Sequence, residues 1–113
     1  MNNEQRAELL LRKYGFDFDK ISPKEITELI QKEIENFQEG SAEYIRVLCG
    51  YLYCIGDASN VCLIKKAKYE INFDVQCMID DEWIESLEKN DQESKKELID
   101  GFVSYYKNYF GIA

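Results

Sequence analysis

Histidine does not occur in this chain, and proline occurs once, at Pro23. Without histidine the commonest general base and the commonest metal ligand are missing, which excludes ordinary Ser-His and Cys-His arrangements and most zinc sites. One proline and six glycines leave no room for a long flexible linker. The longest apolar run, "VLCGYLYCI" from Val47 to Ile55, is about half of what a membrane-spanning helix needs. The opening "MNNEQRAELLLRKYG" lacks a basic stretch followed by an apolar segment and a small-residue cleavage site, so no secretory signal is expected. Positive charge is scarce as well: 14 bases against 22 acids leave a net charge of −8. That field repels nucleic acid and an anionic membrane surface, and it attracts a cationic partner. A soluble cytoplasmic protein with neither nucleic acid nor membrane as partner is the expectation.

Cys49, Cys54, Cys62 and Cys77 include no close pair of the C-x₂-C kind, which lets two thiolates of one turn reach one ion. On a shared helix Cys49 and Cys54 point about 140° apart, so they share neither an ion nor a disulfide. Their apolar neighbours make the cysteines small buried hydrophobes, as free cysteine usually is in reducing compartments. A thiolate nucleophile would also need a basic partner. No metal and no cofactor are expected.

What the chain does contain is apolar residues at helical spacing. Ala7, Leu10, Leu11 and Tyr14 recur at i, i+3, i+4 and i+7, and Gly15 stands where a left-handed residue would close the helix. In "ISPKEI", Ser22 is a helix cap, Pro23 the first helical residue and Glu25 the third, with Ile21 and Ile26 at the positions of a hydrophobic staple. Ile26, Leu29, Ile30, Ile34 and Phe37 continue that helix until Gly40 ends it. Ser41 caps a third helix bearing Tyr44, Leu48, Tyr51 and Ile55, widened by Ile45 and Leu52. Gly56 then stops it and Asp57 caps a fourth, which uses Val61, Ile64, Ala67 and Ile71; so short a joint folds the pair back antiparallel. Asp74 caps a fifth helix running through Leu87, although "INFDVQCMI" also has the look of a strand. After the turn at "KNDQES", a last helix carries Leu98, Phe102, Tyr106 and Tyr109, with Ile99, Val103 and Phe110 beside them. Six short helices in a single all-α domain over residues 1–113 follow, arranged as a compact antiparallel bundle or a short solenoid of helix pairs.

Between Asp80 and Glu93 stand seven acids and one base, Lys89. Ile79, Trp83 and Leu87 share one helical stripe, whereas Asp81, Glu85 and Glu88 fall on the opposite face. Such a row is either a solvated face or a docking surface for a basic protein; pairing two of these carboxylates as acid and base is the enzymatic alternative. In "SYYKNYF" a helix cannot turn all of Tyr105, Tyr106 and Tyr109 inward, and tyrosine is frequent in binding hot spots. The candidate partner-binding residues are therefore Asp80, Asp81, Glu82, Glu85, Glu88, Tyr105 and Tyr109, with no catalytic and no metal-binding residue among them.

The stretch from "YLYCIGD" through "LIKKAKYEINFDVQCMID" resembles a group of small all-helical bacterial proteins, mostly uncharacterised. Their pattern of G-D, L-I-x-x-A-K, N-F-D and I-D is matched by Gly56, Asp57, Leu63, Ile64, Ala67, Lys68, Asn72, Phe73, Asp74, Ile79 and Asp80. In size, acidity and lack of catalytic residues the chain is also similar to the immunity proteins of bacterial toxin systems. That likeness implies an inhibitor that covers the active site of a basic toxin domain, often a nuclease, with its acids standing in for phosphates. A helical adaptor or scaffold for an endogenous partner is the alternative, and a small carboxylate hydrolase the third reading.

Overall fold

A computed structural model describes residues 3–38 and 42–112. Gly40 and Ser41, the expected end of the second helix and cap of the third, lie outside the described residues. Seven α-helices run through the described residues: α1 (Asn3–Tyr14), α2 (Pro23–Glu35), α3 (Ala42–Ile55), α4 (Val61–Glu70), α5 (Phe73–Met78), α6 (Asp81–Lys89) and α7 (Gln92–Phe110). Single 3-10 turns at Phe18–Lys20 and Ala58–Asn60 lead into α2 and α4, and there is no strand among the described residues. The chain is all-α.

Local chemistry sets most boundaries. Gly15 and Gly56 adopt φ of +67° and +86°, the left-handed conformation that costs glycine nothing. Ser22 Oγ accepts from the Glu25 amide at 3.3 Å, and Ile21 and Ile26 are both buried, so the cap and staple form. The carboxylate of Glu25 does not complete the reciprocal box; it accepts from the Tyr14 hydroxyl at 3.0 Å and ties α2 to the end of α1. Asp57 caps the 3-10 turn and not α4 itself, accepting from the Ser59 amide at 2.9 Å, which lowers its pKa. Phe37 lies beyond the end of α2, where it still packs against the core.

The largest departure from the expected pattern is the fifth helix, which is two helices. Asn72, and not Asp74, caps α5, its side-chain oxygen accepting from the Val75 amide at 3.0 Å. Ile79 and Asp80 are extended, and α6 starts anew at Asp81. The break is held by Lys68, whose side chain is only 7% exposed. Its ammonium donates to the carbonyls of Gln76, at 2.6 Å, and of Ile79. A lysine thus satisfies helix-terminal carbonyls that a continuous helix would have paired itself. Ile79, Trp83 and Leu87 remain buried despite the break, because it turns the backbone without turning the stripe outward.

Helix α3 is the axis of the fold. Nine of its residues are buried (Ile45 and Val47 through Cys54), and it touches every other helix. A solenoid repeat touches only its neighbours; a helix apolar all round and surrounded on all sides makes a bundle with a central strut. Around it, Tyr51, Trp83, Phe102 and Tyr106 form an aromatic core with ring centroids 5.1–6.0 Å apart. Tyr53 stacks on Trp83 and its hydroxyl meets Ser86 Oγ at 2.7 Å, while the Tyr51 hydroxyl donates to the Gly15 carbonyl at 2.8 Å.

Candidate functional site

The fold divides the expected acidic row into parts with different partners. Asp81 lies 3.4 Å from the Lys68 ammonium, and Glu88 lies 3.4 Å from that of Lys65, so both turn toward α4. Asp80 accepts from Arg46 at 3.2 Å. Glu82 and Glu85 instead line a cleft of about 190 Å³ between α6 and α7 with Asp91 and Glu97, opposed there by Lys89 alone. Asp91 is committed to α7: it accepts from the Ser94 hydroxyl at 2.8 Å and caps the helix through the amides of Ser94 and Glu93 at 3.3 and 3.1 Å, which together lower its pKa. The cleft concentrates negative charge in solvent reach and attracts cations.

Arg46 is the residue that organises the other half of the site. It is the sole cation of α3, its side chain only 16% exposed. One guanidinium nitrogen donates to the Tyr106 hydroxyl at 2.6 Å and the other to Asp80. Its carbon stands 5.0 Å from the ring centre of Trp83 and 5.4 Å from those of Tyr105 and Tyr106. A charge so far withdrawn from solvent needs such partners, and rings over a guanidinium supply attraction beyond area burial. Burial raises the Tyr106 pKa, with the neighbouring Glu43 pushing the same way and Arg46 opposing.

From Arg46 a belt of contacts crosses the surface. Tyr105 stacks on Tyr109 (centroids 5.9 Å apart, planes 12° apart), and the Tyr109 hydroxyl donates to Glu4 at 2.7 Å. In the other direction Asp80 is followed by Asp81, which also accepts from the Tyr69 hydroxyl at 3.4 Å. Tyr69, Asp81, Asp80, Arg46, Tyr105, Tyr109 and Glu4 are thereby connected. Tyr105 and Tyr109 are each 50% exposed, and Phe73 on the adjoining α5 is 73% exposed. Of the candidate residues, the belt brings together Asp80, Asp81, Tyr105 and Tyr109; Glu82 and Glu85 face the α6–α7 cleft, and Glu88 faces α4.

Beside Tyr109 lies an open cleft of about 430 Å³, lined by Ala42, Cys77 and Met78 and edged by Glu4, Glu43 and Asp74. Sequence patterning passed over these acids because they come from three helices and form no run. Arg46 was missed too, although a lone charge within a run of core-type residues is itself a signal of a buried, partnered group.

The cysteines divide as well. Cys49 and Cys54 are buried, and burial pushes each thiol up to about 12. Cys62 and Cys77 are exposed, correcting the expectation that all four are core: each stands on the solvent face of its helix. Among the described residues no group of three or more cysteine, aspartate and glutamate side chains is arranged to hold a metal ion. No described helix is long and apolar enough to cross a membrane.

Comparison with known proteins gives no match among family models, curated proteins or solved structures. Several of the residues that carried the resemblance have local folding roles. Asn72 caps α5, Lys68 closes it, Ile79 is buried and Asp80 holds Arg46.

Proposed function

We propose that this chain is a protein-binding module of the immunity type, which docks a basic protein such as a toxin domain on the Tyr69–Glu4 belt. The observation that supports the reading most is the stacked, half-exposed pair Tyr105–Tyr109, joined to Asp80 through Arg46 and set among carboxylates. Tyrosine contributes large contact area with a polar end and little entropy loss, which suits it to the centre of an interface. The surrounding acids steer a cationic partner and raise the association rate. Glu82 and Glu85, beginning one residue beyond Asp81, extend the field along α6.

The test is binding, by calorimetry and stopped flow, to the basic domain of a toxin whose gene, on sequencing of the locus, lies beside this one; a locus with no such gene counts against the immunity reading. Tyr105→Ala together with Tyr109→Ala should weaken Kd by at least about 30-fold, the loss of one strong hot spot. Reversing the exposed Glu28 and Glu35 on α2 to Lys is the matched control and should leave the dissociation rate unchanged. Association should slow as salt is added. Equal affinity in the tyrosine variant and the control removes the belt as the interface; tight, salt-insensitive binding to an acidic endogenous protein would point instead to an adaptor.

A further inference from the structure

Two guanidinium groups are largely withdrawn from solvent, with side chains 17% and 16% exposed, and both are held in the same way. Arg6 lies 4.0 Å over the ring of Tyr44 and pairs with Glu33. Arg46 lies among Trp83, Tyr105 and Tyr106 and pairs with Asp80. In each case an aromatic face carries the flat group and a carboxylate takes its N–H donors, a geometry that suits arginine and not the compact ammonium of lysine.

The cleft beside Tyr109 offers the same complement to an outside group. Ala42, Met78 and Tyr109 give it an apolar lining suited to an aliphatic stem. Tyr105 covers one face of the Tyr109 ring, and the Glu4 carboxylate fixes the ring through its hydroxyl. Asp74 makes no ion pair with any described residue, and Glu43, which acts on the Tyr106 hydroxyl and on Arg46 from its inner side, has no cationic nitrogen within 4.0 Å among the described residues. Negative charge at the edge and apolar contact inside select one kind of side chain.

We infer that this cleft, between the N-terminal ends of α1 and α3, α5 and the end of α7, receives a single arginine side chain from the basic partner. The guanidinium rests on Tyr109 and pairs with Glu43 and Asp74, while its stem lies along Met78 and Ala42. This deepens the partner-binding reading and rests on it.

The probe is acetyl-arginine methylamide, followed by amide and side-chain NMR shifts of the whole chain at constant ionic strength. The lysine and the uncharged citrulline analogues are the comparisons. Saturable shifts at Ala42, Cys77, Met78 and Tyr109 are expected in the millimolar range, the affinity of a single side chain. Binding should be weaker for lysine and absent for citrulline, and Glu43→Gln with Asp74→Asn should abolish it. Equal response to citrulline, or arginine shifts spread evenly over the acids of α6, would overturn the inference. In the complex, the Glu43→Gln, Asp74→Asn variant should lose at least about tenfold in affinity for the basic partner. Full affinity in that variant, with loss in the Tyr105→Ala, Tyr109→Ala protein, overturns the arginine site and leaves the belt; full affinity in both overturns the belt as well.

Discussion

Replacing Gly50 by alanine probes a close approach between α3 and the Phe102 ring of α7. An added Cβ at Gly50 falls 2.2 Å from Phe102 Cε2 and 2.7 Å from Cδ2. Carbon atoms rest about 3.5 Å apart or more, so the ring would have to retreat by over about 1 Å. It has nowhere to go. The rings of Tyr51, Trp83 and Tyr106 stand 5.9, 6.0 and 5.1 Å away, and Phe18 stands at 6.4 Å. On a solvated helix the same substitution would stabilise by up to about 1 kcal/mol through helix propensity. Here overpacking opposes it, at about 3 kcal/mol for an overlap this deep in a core with little give. The net expectation is a loss of about 2 kcal/mol, or a fall in Tm of roughly 8 °C for a domain of this size. Urea unfolding followed by circular dichroism reads it as a lowered midpoint at unchanged slope. Phe102→Leu alone should also destabilise, by opening space in the core. Combined with Gly50→Ala it should cost less than the sum, with a coupling of at least about 1 kcal/mol. A Gly50→Ala protein as stable as the parent, or a strictly additive double variant, would refute the close α3–α7 packing.

Other outcomes follow from the same geometry. Lys68→Met keeps the stem but leaves the carbonyls at the end of α5 without donors, and should cost about 2–4 kcal/mol in urea unfolding, whereas Lys68→Arg should recover part of that. Titration with a thiol reagent should count two reactive groups in the native protein, Cys62 and Cys77, and four after unfolding. Burial holds Cys49 and Cys54 protonated when folded, with pKa values raised from 9.0 to about 12. Their contribution is therefore full below about pH 9, where the unfolded thiols begin to ionise, and is lost as pH rises toward 12. The urea midpoint should fall across that window, and a Cys49→Ala, Cys54→Ala variant should show a shallower fall.

Periodicity and capping chemistry made most of the helices legible. The Ser22–Pro23 start, the left-handed Gly15 and Gly56, and the buried Trp83 stripe are decided within a few residues of sequence. The split of α5 from α6 was not legible, because its cause lies elsewhere on the chain: apolar spacing from Val75 to Leu87 reads continuously, and the interruption is fixed by Lys68 on α4. The central role of α3 was present in the run "VLCGYLYCI", which is too long for one stripe of a surface helix. The candidate site was half legible. Local spacing identified Tyr105 and Tyr109 as unable to bury fully, but Glu4, Glu43 and Asp74 meet only through tertiary packing.

Counting charges along the sequence treats every carboxylate of an acidic run as equivalent, and folding makes them unequal. Asp81 and Glu85 show the difference most sharply. Both are exposed on α6, and both belong to the row expected to face a partner. Asp81, however, lies against an ammonium whose hydrogen bonds go to the carbonyls that close α5, so it balances a charge that the fold has already buried. Asp81→Lys would set a second ammonium against Lys68. Because Asp81 is 68% exposed, solvent relieves much of the repulsion, and the expected cost is about 1–2 kcal/mol of stability. Glu85→Lys meets no such group: it leaves Glu82, Asp91 and Glu97 around it and adds a second cation to a cleft that holds only Lys89. It should change stability by less than about 0.5 kcal/mol, as surface substitutions usually do. Its effect should appear in the association rate with a basic partner, which falls when the field is weakened. Paired measurements of unfolding midpoint and association rate on the two variants separate these roles. Equal stability loss in both would mean that α6 carries its charges as one undifferentiated solvated face.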